Sequence, residues 1–116
     1  MRKKVLIVDD DRTISSLLKT LLELDNFEVL TVARGVDVMP KVSSFQPDAF
    51  IIDYHLNDMD GLDLVHELRS QPPYSDAFIV VASGMDKEDE ALAAGANHFL
   101  LKPYDPDILT ALLKQS

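Results

Sequence analysis

Val5-Leu6-Ile7-Val8-Asp9-Asp10-Asp11 carries four apolar residues straight into three carboxylates, and Ala49-Phe50-Ile51-Ile52 repeats the device by delivering Asp53. A short, unbroken apolar run suits a strand covered on both faces, as in a parallel sheet. If the two runs are neighbouring parallel strands, their carboxyl ends place Asp9, Asp10 and Asp53 in one crevice. Like charges there raise each other's pKa unless a cation joins them, so the pattern implies a divalent metal.

Working outward, similar runs occur at Phe78 to Ala82 and Phe99 to Leu101, while Glu28 to Val32 is more mixed and reads as an edge strand. Helical spacing lies between them. Ile14, Leu17, Leu18, Leu21 and Leu22 share one face, as do Leu64, Val65 and Leu68, and later Ile108, Leu109, Leu112 and Leu113. Strands that alternate with helices need right-handed crossovers, which predicts an α/β fold with helices on both faces of the sheet. The expected architecture over residues 1–116 is a single, doubly wound, flavodoxin-like domain with five helices and five parallel strands in the order 2-1-3-4-5. In that order the switch point falls between the strands that end at Asp9-Asp10 and Asp53. Pro40, about a turn into the second helical segment, predicts a helix that is short, kinked or partly 3₁₀. The segment between Asp86 and Gly95 leaves room for about two turns capped by Ala93-Ala94-Gly95, the expected weakest helix.

Composition narrows the function. A chain of 116 residues has room for one core. With 11 Lys plus Arg against 20 Asp plus Glu, a net charge of −9 argues against direct nucleic-acid binding. No cysteine is present, which excludes thiolate metal sites and thiol nucleophiles. Met1-Arg2-Lys3-Lys4 is basic, but its apolar continuation is too short for a signal peptide, and no segment reaches membrane-span length. The expectation is a soluble, cytoplasmic protein without a membrane partner.

Aspartate is ionised at neutral pH, so Asp53 needs charge neutralisation rather than a base in order to attack phosphorus. Mg²⁺ held by carboxylates, a carbonyl and waters would supply it, with a lysine and a hydroxyl taking the remaining phosphoryl oxygens. Lys102 and Ser83 stand at the ends of two other apolar runs. Val8-Asp9-Asp10, Asp53, Asp60-Gly61, Ser83-Gly84 and Lys102-Pro103, in that order, resemble the receiver domains of two-component response regulators over nearly the whole chain.

The resemblance implies a role for each matched position. Asp53 is the phosphoacceptor, taking its group from a phosphohistidine on a sensor histidine kinase or a histidine phosphotransfer protein. Asp10 binds Mg²⁺ directly, Asp9 through water, and the backbone carbonyl of His55 is a further ligand; Mn²⁺ substitutes. Lys102 pairs with phosphoryl or carboxylate oxygens, and Ser83 moves to the phosphoryl group as the aromatic switch Phe99 turns inward. The resemblance also implies a cis Lys102-Pro103 bond and self-catalysis without turnover of a separate substrate. Output is expected through a downstream protein or an effector segment.

Two departures stand out. Asn57 replaces a usual proline, which predicts a looser loop after Asp53, and the stretch from Ser83 to Lys102 is shorter than the family norm by roughly one helical turn, about 5 Å of rise. The shortening weakens any analogy at the output face. Helix capping alone does not account for the acidic run, because Asp11 suffices as N-cap and Asp53 stays unexplained. The side chain of His55 reads as an exposed loop group with an imidazole able to accept a proton near neutral pH, and is expected to tune the lifetime of the acyl phosphate.

Three rivals remain. Val8-Asp9-Asp10-Asp11-Arg12-Thr13 also fits the start of a haloacid-dehalogenase-like phosphatase with Asp9 as nucleophile, but Asp105 and Asp107 look like the start of a helix and supply no late acidic motif. A flavin mononucleotide site is disfavoured by aspartates where phosphate would bind. A degenerate receiver acting as a constitutive interaction module is disfavoured because every chemical position holds a competent residue type.

Overall fold

Strands and helices alternate as expected through residues 2–116, the span described by the computed structural model. Met1, the first residue of the basic start, lies outside it. The strands are β1 (Lys4–Val8), β2 (Glu28–Val32), β3 (Ala49–Asp53), β4 (Phe78–Ser83) and β5 (His98–Leu101). The helices are α1 (Arg12–Leu24), α2 (Val38–Phe45), α3 (Gly61–Arg69), α4 (Glu88–Ala94) and α5 (Pro106–Gln115). All strand pairs are parallel, in the order β2-β1-β3-β4-β5. No described helix is long and apolar enough to cross a membrane.

The unbroken apolar runs are explained by two cores, one on each face of the sheet. Leu6, Val8, Phe50, Ile52, Ile79 and Val81 face α2, α3 and α4, where Val38, Val42, Leu64, Val65, Leu68 and Ala91 meet them. Alternate residues Val5, Ile7, Ala49, Ile51 and Val80 face α1 and α5, meeting Leu18, Leu22, Leu109 and Leu113. Burying such a side chain contributes about 1.5–3 kcal/mol over leaving it exposed. Two of the apolar helix faces are wider than their cover. Ile14 and Leu17 on α1 are 38% and 53% exposed and Ile108 on α5 is 50% exposed, so only part of each predicted stripe reaches the core.

Local chemistry sets the helix ends. Asp11, as expected, caps α1 by accepting the Ile14 N–H (3.1 Å). Pro40 is the third residue of α2, where a helical N–H has no intrahelical partner, so its missing donor costs little. A 3₁₀ turn at Gly35–Asp37 precedes that eight-residue helix, matching the expectation of a short, partly 3₁₀ segment. Seven-residue α4 ends at Gly95, whose φ of 117° lies in the left-handed region that favours glycine.

Arg69, at the end of α3, ties down that same corner. Its guanidinium donates to the carbonyls of Gly95 (2.9 Å), Tyr74 (3.2 Å), Ser75 (3.2 Å) and Ala77 (2.7 Å) and to Asn97 Oδ1 (2.9 Å). The loop before β4, the end of α4 and the start of β5 thus share one cation.

Candidate functional site

Parallel strands bring their carboxyl ends to one edge, and the switch between β1 and β3 opens a crevice there. Asp9 follows β1 directly and Asp53 ends β3. One carboxylate oxygen from each of Asp9, Asp10 and Asp53 lies within 4.8 Å of the others, as the two acidic runs predict. Lys102, in the loop after β5, donates to Asp9 Oδ2 and Asp53 Oδ1, both at 3.2 Å. Two of the three carboxylates therefore share one ammonium group, and Asp10 is left without it.

The electrostatics follow from that imbalance. Burial pushes the Asp53 carboxyl above its ordinary range; Lys102 pulls it back, while Asp9 and Asp10 push it further up. Burial draws the Lys102 ammonium down, but Asp9 and Asp53 outweigh it and leave Lys102 above its ordinary value. Hard oxygen donors with an unmet negative charge fit Mg²⁺ or Mn²⁺ far better than a soft metal. Asp10 has no hydrogen-bond partner among the described residues, so its oxygens are free for a cation. Asp9 is different: it is 6% exposed, and its oxygens already accept the Asp11 N–H (2.9 Å) and Lys102. Asp9 is thus more enclosed than Asp53 and carries one more hydrogen bond.

The other expected residues gather at the same edge. Ser83 ends β4, fully buried, one residue beyond the register partner of Asp53, and its hydroxyl accepts the Met85 N–H (3.1 Å). Phe99 pairs with Val81 in β5 and packs, half-buried, against the core on the α3 and α4 side. The Lys102-Pro103 bond is cis. The His55 side chain is exposed, its ring edge-on to Tyr54 at 4.6 Å, and its backbone bridges to Asp60. Asp105, the late acidic residue of the phosphatase alternative, instead caps α5 by accepting the Asp107 N–H (2.9 Å).

Gly61 closes the loop by close approach. Its N–H donates to the Tyr54 carbonyl (2.7 Å), and a Cβ there would fall 2.3 Å from the Asp53 carbonyl oxygen. Since that oxygen is backbone, Gly61→Ala is expected to cost about 1–3 kcal/mol by overpacking and to lower the melting temperature measurably. Thermal unfolding followed by circular dichroism checks this, and an unchanged midpoint would contradict the contact.

Sequence reasoning missed two neighbours. Tyr104 follows the Lys102-Pro103 pair, and burial pushes its phenol above the ordinary value. With Ile14, Leu17, Leu18, Pro103 and Pro106 it lines a groove of about 440 Å³ that opens beside Lys102. A tyrosine after Lys-Pro carries no motif signal by itself. Asp58 was also unremarked; its carboxylate accepts the N–H groups of Gly35 and Val36 (both 2.9 Å). The looser loop expected from Asn57 is in fact anchored one residue later.

Comparison with known proteins decides the family. The model for "Response regulator receiver domain" matches residues 5–114. The chain belongs to that family. Receiver domains of response regulators are signalling switches rather than turnover enzymes. The chain is 35% identical to the transcriptional regulatory protein KdpE of Staphylococcus aureus over 98% of its own length and 49% of that protein's. It is 32% identical to the phosphate regulon transcriptional regulatory protein PhoB of Rhizobium meliloti over 98% and 52% respectively. The chain thus spans about half the length of these curated relatives. Among solved receiver structures, the chemotaxis response regulator CheY4 of Vibrio cholerae superposes with a TM-score of 0.92 at 30% identity, covering 99% of this chain and 98% of that one. The BeF3-activated N-terminal receiver domain of Klebsiella pneumoniae RstA gives 0.89 at 27% identity, with 97% of each chain covered.

Proposed function

We propose that this receiver domain, residues 1–116, is a phosphorylation-controlled switch in two-component signalling with Asp53 as its phosphoacceptor. The observation that carries the reading is the placement of carboxylate oxygens of Asp9, Asp10 and Asp53 within 4.8 Å of one another, with Lys102 bridging Asp9 and Asp53. The donor is a phosphohistidine on a sensor histidine kinase or a histidine phosphotransfer protein. An Asp53 oxygen attacks phosphorus; the new O–P bond forms as the N–P bond breaks, and its electron pair stays on the departing imidazole. The product is an acyl phosphate on this chain, so the domain is substrate and self-catalyst, and water later hydrolyses it.

Asp10, Asp53 and the His55 carbonyl would hold Mg²⁺ directly and Asp9 would hold it through water, with Mn²⁺ able to substitute. When bound, the ion neutralises charge on the attacking and transferring oxygens. Lys102 contributes the second positive charge, held on the aspartates before transfer and free to turn to a phosphoryl oxygen after it. Ser83 exchanges its Met85 contact for the phosphoryl group, and Phe99 follows inward; phosphorylation thereby shifts a two-state equilibrium. The groove beside Lys102 offers the adjoining surface for a donor domain. A downstream protein or an effector segment reads the outer face. The net charge of −9 supports an absence of direct nucleic-acid contact by this domain, and we place its work in the cytoplasm.

Intact-mass spectrometry after incubation with acetyl phosphate tests the central step. One phosphoryl adduct that requires Mg²⁺ is expected; no adduct would leave a degenerate module, and label on Asp9 with multiple turnover would favour the phosphatase. The exposed imidazole of His55, two residues from Asp53, is assigned to tuning the lifetime. His55→Asn is expected to change the dephosphorylation rate by about 2- to 10-fold. Coincident rate curves for variant and parent would remove that role.

A further inference from the structure

We infer that Asp58 is a positioning residue for the metal side of the site, fixing the loop after Asp53 by clamping its tip to the turn after β2. The inference rests on the receiver reading above. It begins with an uncapped turn: Arg34, the N-cap residue of the 3₁₀ turn Gly35–Asp37, makes no side-chain cap bond. Asp58 supplies the missing acceptors from a different loop. Its Oδ1 accepts the Gly35 N–H and its Oδ2 the Val36 N–H, each at 2.9 Å, across 23 and 22 residues of sequence. A two-pronged carboxylate bond fixes direction as well as distance. The amides of Val36 and Gly35 hold the Asp58 carboxyl below its ordinary range, and Arg34 adds to the effect.

Packing supports the clamp. Met59 lies across Gly35 so closely that a Cβ on Gly35 would fall 2.2 Å from the Met59 sulfur. The turn and the loop tip are thus fitted to each other beside the carboxylate. At the other end of the loop, Gly61 donates to Tyr54 (2.7 Å) and His55 bridges to Asp60. His55, Leu56 and Asn57 lie between these two anchors, with Leu56 buried in the core. The main chain of His55 is therefore held from both sides, and at the tip the hydrogen bonds to the turn come from one exposed side chain, Asp58.

Release of the tip leaves the loop to be ordered when a cation binds, which weakens binding without altering the groups that react. In Asp58→Ala the dissociation constant for Mg²⁺ alone, read from amide shifts in a nitrogen-15 NMR titration, is expected to rise about 3- to 10-fold. Asp58→Asn, which keeps one acceptor oxygen, is expected to fall between alanine and parent and serves if alanine compromises folding. In parallel, the Mg²⁺ concentration for half-maximal acetyl phosphate labelling rises by the same factor, while the rate at saturating Mg²⁺ stays within about 2-fold. The Gly35 and Val36 amides move in both variants because they lose or weaken their carboxylate bonds. An unchanged Mg²⁺ constant with those amides shifted would reduce Asp58 to a turn cap and overturn the inference. Unmoved amides would overturn it by removing the clamp itself. A parent protein that fails to bind Mg²⁺ would overturn both this inference and the receiver reading, and is seen before any variant is made.

Discussion

Asp53→Asn is expected to carry no phosphoryl adduct, a loss of at least about 10³-fold in labelling rate, because a neutral amide oxygen is a poor nucleophile. The same substitution is expected to make the metal-free protein more stable at neutral pH. Burial, together with Asp9 and Asp10, holds the Asp53 carboxyl above its ordinary value against the pull of Lys102. A carboxyl raised in the folded state contributes stability below its unfolded value, near 3.9, and loses it as pH rises through the folded one. The ionised parent therefore bears a cost at pH 7 that the asparagine variant lacks. The gain is expected to be of order 1 kcal/mol, or about 4 °C in melting temperature, and to fade on acidification below about pH 4. Mg²⁺ should narrow the gap from the other side, since it stabilises the parent in proportion to its occupancy. Melting curves at pH 3.5, 5 and 7, with and without Mg²⁺, measure all of this. A variant less stable than the parent at pH 7 would mean that the Lys102 ion pair outweighs the repulsion.

Lys102→Met is expected to slow labelling by about 10²-fold, the usual cost of removing one positioned donor from a site of developing negative charge. Methionine keeps the apolar stem beside Tyr104 and removes only the ammonium. Asp53 then loses its Lys102 bond, while buried Asp9 retains the Asp11 N–H alone. Without metal, stability is expected to fall by about 1–3 kcal/mol. Added Mg²⁺ should restore more stability to this variant than to the parent, since more charge is left uncompensated. Because Asp9 and Asp53 hold the Lys102 ammonium above its ordinary value despite burial, it stays charged through neutral pH and its pairing is lost only in strong alkali. The effect of the substitution should accordingly be flat between pH 6 and 9. Lys102→Arg keeps the charge but replaces a point donor with a planar fork, so stability should survive better than rate. Equal labelling by parent and Lys102→Met would exclude a role for the ammonium in transfer.

The sheet and its order were legible because β1, β3 and β4 are covered on both faces and leave nearly continuous apolar runs. The acidic crevice was legible for the same reason: each run ends where its chemistry begins. Helix faces were less so, since Ile14, Leu17 and Ile108 carry the right spacing yet remain exposed. Periodicity records which residues share a side, not how far the neighbouring layer reaches. The roles of Asp58 and Arg69 were invisible in sequence because both depend on backbone groups brought from distant loops, and a backbone amide or carbonyl leaves no letter in the chain. Tyr104 was hidden by its company, as an aromatic among prolines and aspartates after β5.

The short α4 bears on how far a local event is felt. At 1.5 Å per residue its seven residues span only about 10 Å, and the Arg69 network pins the end at Gly95. The other end adjoins Met85 and the Ser83 loop. A rod of that length turning by about 10° around its pinned end displaces the free end by less than about 2 Å. Such a lever has little gearing. On the switch reading proposed above, a message started at Ser83 is expected to stay close to its source, beside Met85, which is 57% exposed, and not to reach the far end of the helix.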